Sequence, residues 1–246
     1  MMRASEIEFK YRFYWIGAIF FLGFFCYSFD HLNAGIGIAK SLFKGFNLQS
    51  AKSQMELRLI YGAGAAVCVA AAALRTWAAA YLKSEVVQDH ALHSEALVAD
   101  GPYRYMRNPL YLGGVMLAAG LGLLASRTGW FVMTLGLLFF YYRLIGREEA
   151  ALIDSQGEGF RAFRAAVPRF WPALRPCVPS SGMKPRWGQA WLGEAFMWGF
   201  AAGPVLFTIT LNILYAWIGF GSGFAAHYIA GYFVKRRKTQ QVAGSQ

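Results

Sequence analysis

The chain has 246 residues and a formal net charge of +11, with 57% hydrophobic side chains and only 15% charged ones. That balance is too apolar for an ordinary soluble domain and predicts an all-α integral membrane protein. The positive charge does not imply nucleic acid, because no basic stripe interleaved with stacking aromatics lies outside the flanks of the apolar runs.

About 20 apolar residues cross the hydrocarbon at roughly 1.5 Å of rise each. On that measure spans are predicted near Phe13–Phe29, Leu59–Leu82, Tyr111–Ser126 and Gly129–Ile145. A further tract, Trp191 to Val234, is long enough for two more, with a break expected at Gly203-Pro204 or within "GFGSG", Gly219 to Gly223. The first run follows Lys10 and Arg12 without a small-residue cleavage signal, so it reads as a retained helix. Lysine and arginine gather in residues 1–12, 83–110, 143–186 and 235–238, whereas the intervening loops hold only Lys40, Lys44, Lys52, Arg58 and Arg127. This asymmetry places both termini in the cytoplasm. An even number of spans follows, and the expectation is a polytopic helical bundle of about six transmembrane helices.

Three parts are expected. Residues 1–82 form an N-terminal transmembrane hairpin with an outer loop of about 30 residues. Residues 83–176 form a core, comprising a polar motif, a helical hairpin turning at "ASRTG" and a basic tail. Residues 177–246 hold a linker, "CVPSSGMKP", and the C-terminal transmembrane helices. The tail segment "EGFRAFRAAV", Glu158 to Val167, puts Phe160, Phe163 and Val167 on one helical face with Arg161 and Arg164 beside it. That is an amphipathic helix whose apolar side lies in lipid or against the bundle, with anionic headgroups as partners of the basic side. The prolines of "VPRFWP" stop it. Cys26, Cys68 and Cys177 have neither metal nor redox spacing and make no disulfide scaffold.

The chemistry concentrates where "DGPYRYMRNPLYLGG", Asp100 to Gly114, opens the third span. Gly101-Pro102 forces a turn, and Pro109 fits the first helical turn, where its missing N–H costs nothing. The free amides of that helix mouth suit an anion. Tyr103, Tyr105 and Tyr111 offer flat faces with polar tips, and Arg104 and Arg107 offer forks for carboxylates; an aromatic belt with positive-inside arginines would use the same residues. "REEAALI", Arg147 to Ile153, ends the fourth span, and its adjacent carboxylates Glu148 and Glu149 project about 100° apart on a helix. The hairpin returns them to the membrane face that carries Arg107 and Asn108. Arg75 lies about 10 Å inside the end of the second span, either as a functional group or snorkelling to the surface. Asp89, His90 and His93 lack a third clear ligand spacing, so no metal is expected. Glu194, Asn212 and His227 read as polar contacts inside the bundle.

Taken together, "GPYRYMRNPLYLG", "REEAALI" and "GEGFRAFRAAVPRFWP" resemble the isoprenylcysteine carboxyl methyltransferase family and its phospholipid methyltransferase relatives. "VVQ" at Val86 to Gln88 and Leu97-Val98 resemble that family's approach to the motif. The resemblance covers about residues 83–172 and implies S-adenosylmethionine as cofactor, bound at the cytoplasmic ends of the membrane helices. By position, Gln88, Leu97, Val98, Tyr103, Asn108, Pro109, Tyr111, Glu148 and Glu149 would surround it. The carboxylates would hold ribose hydroxyls or the methionine ammonium. Arg75, Arg107 and Glu148 are the catalytic candidates. Two departures stand out. Asn108 replaces a histidine and cannot carry a proton as a general base, and Phe160 and Phe163 replace tyrosines.

The implied function is an integral-membrane methyltransferase acting on a lipophilic small molecule or lipid, at the inner membrane of a bacterium with its active site facing the cytoplasm. Methyl transfer rests largely on alignment and exclusion of water. A carboxylate or thiolate acceptor is favoured, since a carboxylate needs an arginine such as Arg75 or Arg107 and no base. The alternatives are a phospholipid N-methyltransferase, a sterol-reductase-like enzyme using NADPH, and a non-catalytic scaffold whose basic tail binds anionic lipid.

Overall fold

Short polar caps decide where four of the helices begin. The computed structural model describes residues 3–82 and 99–243, without the side chains of His227, Ala230 and residues 232–243. The Ser5 side chain accepts from the Glu8 amide while Glu8 accepts from the Ser5 amide, a reciprocal cap that opens α1 (Glu6–Lys10). After α2 (Arg12–Phe25), the side chains of Asn33, Ser50 and Ser126 cap α3 (Ala34–Leu42), α4 (Ala51–Ala79) and α6 (Arg127–Gln156). Between the last two, α5 (Pro109–Leu121) opens on its proline instead. The chain continues through α7 (Glu158–Ala166), α8 (Trp187–Gly193), α9 (Ala195–Thr210) and α10 (Ile213–Ala243). Among the described residues no strand forms beyond an isolated bridge between Asn33 and Ser126.

The exterior has the polarity of a membrane protein. Phe21, Phe25, Phe131, Leu135 and Phe139 are exposed on α2 and α6. Among the described residues two helices, α4 and α6, are long and apolar enough to cross a bilayer, and α8 with α9 makes a third if this pair, bent by 61°, is one span. The segments Arg12–Ser28, Pro109–Leu124 and Ile213–Ala226 are apolar but shorter. Where the sequence predicts about six full spans, length and composition give two or three. The reason is local: α2 and α5 end early in 3-10 turns at Cys26–Ser28 and Gly122–Leu124.

In the centre, α5 lies between α4 and α6; α2 backs α6, and α9 packs on α4. Leu112, Leu117, Leu121, Met133, Leu137 and Leu144 fill the shared core. Close approach of α4 to α5 depends on Gly120, where a Cβ would fall 2.5 Å from both the Cys68 sulfur and the Gly64 carbonyl oxygen. The C-terminal pair uses the same device. A Cβ on Gly199 would lie 1.9 Å from the Gly223 Cα, and Gly203 faces Gly219. The glycines at which the sequence predicts a break therefore mark the seam between α9 and α10, and Pro204 sits inside α9. The actual break is at Leu211–Asn212, where Leu211 takes a φ of 51° and the side chains of Thr210 and Asn212 accept the Asn212 and Leu214 amides.

The tail resolves in favour of the bundle and not of lipid. Phe160, Phe163 and Val167 are buried against Leu152, Ile153, Cys177 and Val178. At the opposite end of the bundle the loop folds as α3 and is tied down by polar contacts. The Tyr61 hydroxyl donates to Asn33 over 2.6 Å. Asp30 accepts the Thr128 amide at 2.8 Å and its hydroxyl at 2.9 Å, and these bonds hold its carboxyl down at about 2.

Candidate functional site

The motif that opens α5 is fixed from outside before it reaches the helix. Asp100 accepts from the Ser180 and Ser181 hydroxyls and from the Ser181 and Met183 amides, at 3.0 and 3.1 Å for the amides. The two hydroxyls are the main reason that its carboxyl sits at about 2. The segment expected to be a linker is thus laid against the motif, and Arg104 adds a bond from Nε to the Val178 carbonyl at 2.9 Å. Gly101 has a φ of +55°, and a Cβ there would meet the Tyr81 ring at 2.3 Å. Only glycine meets both demands. A 3-10 turn over Gly101–Arg104 follows and buries the Tyr103 side chain, whose hydroxyl pKa is raised by that burial.

From there the chain is pinned to the tail. The Arg107 amide donates to the Pro168 carbonyl at 2.9 Å, and the Asn108 side-chain amide donates to the Arg169 carbonyl, also at 2.9 Å. Asn108 thus does the holding work of an amide, in line with a side chain that does not titrate.

The paired glutamates diverge as helix geometry requires. Glu149, 4% exposed, faces the tail. It accepts Arg107 Nε at 3.0 Å and Arg169 Nη2 at 2.6 Å. Arg107 also donates to the Val167 and Arg164 carbonyls. Glu148 faces α5, where Oε1 accepts the Tyr111 hydroxyl at 2.6 Å. The Tyr111 and Tyr141 rings pack at 4.7 Å between centroids. Tyr141 can come so close because Gly114 has no side chain: a Cβ there would lie 2.6 Å from the tyrosine hydroxyl.

Arg75 neither snorkels to the surface nor stands free. Its Nε and Nη2 donate to the two oxygens of Glu194 at 2.7 and 3.0 Å, and Nη1 donates to the Leu110 carbonyl at 3.0 Å. Glu194, expected only to make a polar contact inside the bundle, is fully buried and is the partner of this arginine.

Arg75, Tyr103, Arg107, Asn108, Pro109, Tyr111, Glu148 and Glu149 therefore meet at one end of the bundle. Gln88, Leu97 and Val98 lie outside the described residues, as do Asp89, His90 and His93. Among the described residues no group of three or more His, Cys, Asp or Glu could hold a metal ion. The sequence reading missed Arg12. Its buried side chain donates to the Phe9 carbonyl at 3.1 Å and lies near enough to Glu148 and Tyr111 to act on both electrostatically. The N-terminal segment is strapped there by Glu8 to Arg143 at 2.7 Å and by the Ala4 amide to the Arg143 carbonyl at 3.0 Å. A basic residue heading an apolar run is ordinary in sequence; only the fold turns it inward. Elsewhere an apolar groove of about 480 Å³ between α4 and α9, lined by Gly62, Val69, Val205 and Ile209 among others, carries no ionisable side chain.

Residues 59–156 match the phospholipid methyltransferase family. No curated protein and no solved structure matches the chain. The matched segment runs from α4 to the end of α6, so it holds Arg75, the α5 motif and both glutamates, and it leaves out the N-terminal strap, the tail and the C-terminal pair. Over this core the chain is similar to the phospholipid methyltransferases, within the group of integral-membrane methyltransferases to which the motifs point.

Proposed function

We propose that the chain is an S-adenosylmethionine-dependent methyltransferase that acts on a lipophilic acceptor at the cytoplasmic face of the inner membrane. The observation that carries this reading is the contact between Glu148 and Tyr111 at the proline-headed mouth of α5. It brings a carboxylate, two packed tyrosine rings and the first amides of a helix to one place.

The side chains fit the cofactor by their chemistry. Glu148 suits ribose hydroxyls or an ammonium. Tyr103 and Tyr111 suit an adenine face, and the helix mouth suits a carboxylate. When bound, S-adenosylmethionine supplies an electrophilic methyl group on a sulfonium. The remaining work belongs to the chain, which aligns the two reactants and keeps water out. Glu149 and Asn108, engaged with Arg107, Arg169 and the tail, serve by holding the motif in place. Gln88, Leu97 and Val98 join the set by resemblance. A nicotinamide dinucleotide would need cations for its phosphates, and Arg107 and Arg169 already pair with Glu149.

A second reading of the acceptor has its own support. A carboxylate acceptor needs an arginine, yet Arg75 and Arg107 each hold a glutamate. This favours an amine, such as that of a phospholipid headgroup, with Glu148 as the group able to take its proton. The test is a labelled-methyl transfer assay with S-adenosylmethionine and a total lipid extract, the product identified by mass. Transfer that is lost in Glu148→Ala is expected; a purified protein without affinity for the cofactor, or with the same affinity after Glu148→Ala, overturns the reading.

A further inference from the structure

The C-terminal helices lie outside the matched segment, yet they reach into the site through one side chain. Glu194 sits at the junction of α8 and α9, where the pair bends by 61°. Both its oxygens are taken by Arg75 of α4, and it is shielded from water altogether. The third nitrogen of the Arg75 guanidinium, Nη1, donates to the Leu110 carbonyl, between Pro109 and Tyr111 in the first turn of α5, and the group lies over the Phe196 ring. The path for this arginine is built on purpose into α5, since a Cβ on Gly113 would lie 2.5 Å from Arg75 Cγ. A neighbouring contact fixes the same junction: Trp198 donates from its indole to the Thr76 hydroxyl at 3.0 Å and stacks on Trp191 at 4.9 Å.

Resting on the methyltransferase reading above, we propose that Glu194 is a positioning residue for the cofactor site. It acts through Arg75, which clips the first turn of α5 and so sets where Tyr111 and the helix-mouth amides stand. The reasoning is electrostatic. A guanidinium among apolar helices stays put only while its charge is matched and its N–H groups are used. Without the carboxylate, Arg75 turns toward water and releases the Leu110 carbonyl. The clip then fails although no residue that touches the cofactor has changed. The site is incomplete without the C-terminal pair, which makes that pair part of the enzyme and not an added anchor.

The experiment uses the full chain in lipid nanodiscs and three proteins: the parent, Glu194→Gln, and the double variant Arg75→Met with Glu194→Leu. The double variant removes both charges, so it folds without a buried unpaired ion. Two quantities are read, the affinity for S-adenosylhomocysteine and the hydrogen exchange of the Leu110–Gly114 amides. Both variants are expected to lose about tenfold or more in affinity, as a small misplacement of aligned groups does, and to exchange faster in the α5 first turn. The double variant should keep the parent's unfolding midpoint within a few degrees. A double variant that binds like the parent, or unchanged exchange in both variants, overturns the proposal and leaves the ion pair as packing alone. A parent that does not bind the probe at all, while its variants still show faster exchange, overturns the methyltransferase reading and keeps Glu194 as the residue that sets the α5 mouth.

Discussion

The two ends of the bundle treat a carboxylate differently. At the end that carries α3, Asp30 accepts from the Thr128 amide and hydroxyl and from the Leu32 amide, and it pairs with Arg127 at 3.5 Å. At the other end, Glu148 has the Tyr111 hydroxyl as its hydrogen-bond donor among the described residues. Asp30 is saturated by a loop it holds together. Glu148 is oriented by one donor and keeps capacity for more. Within the second end the same contrast separates neighbours in sequence, for Glu149 is closed by two arginines. On the proposed reading, what sets the binding carboxylate apart from the structural ones is the state of its donors, not its depth.

The contrast is broken most severely at Glu149. Glu149→Ala leaves Arg107 buried without its partner, and the expected loss is about 3–5 kcal/mol of stability, read as a fall in the thermal unfolding midpoint. Glu148→Gln should leave that midpoint nearly unchanged and weaken cofactor binding by about 1.5–3 kcal/mol, the worth of a hydrogen bond to a charged group. A Glu148→Gln protein that unfolds early and binds normally would reverse the two roles. Tyr111→Phe removes the orienting hydroxyl and should cost about 0.5–1.5 kcal/mol in the same binding measurement. Smallest is the effect of Asp30→Asn on the cofactor: affinity should not change, and only the end bearing α3 should exchange its amides faster.

Acid sharpens the comparison further. Asp30 and Asp100 are held at about 2 in the folded chain against an ordinary value of 3.8. Both pKa values are depressed, so the stability they contribute is fully present above about pH 4 and is lost as pH falls toward 2. Hydrogen exchange between pH 4 and 2 should therefore rise in the Ser180–Met183 loop and around Thr128.

Much of this was legible in the sequence for simple reasons. Pro109 announces the helix mouth because proline costs nothing in the first turn of a helix, where its missing N–H has no partner to lose. The divergence of Glu148 from Glu149 follows from 100° per residue. Other features depend on partners far along the chain. Glycine pairs look the same in a sequence whether they break a helix or let two helices touch, so Gly203 and Gly219 gave no warning of their seam. Arg75 read either as a functional group or as a snorkelling one because the carboxylate that meets it lies 119 residues away. Arg12 looked like a flank because nothing local shows that Ala4 and Glu8 fasten the strap to Arg143. The linker "CVPSSGMKP" looked slack because its partner, Asp100, belongs to another part of the chain.

One length difference has a consequence for how an acceptor arrives. The helix bearing Glu148 continues for eight more residues, to Gln156, which is about 12 Å of further rise, while α5 begins only two residues before Tyr111. On the proposed reading, the reacting zone lies at the foot of a helical parapet and not level with its top. A tethered or long-tailed acceptor would then slip in sideways, below that parapet, whereas a water-borne competitor of the same headgroup chemistry would have to descend past it.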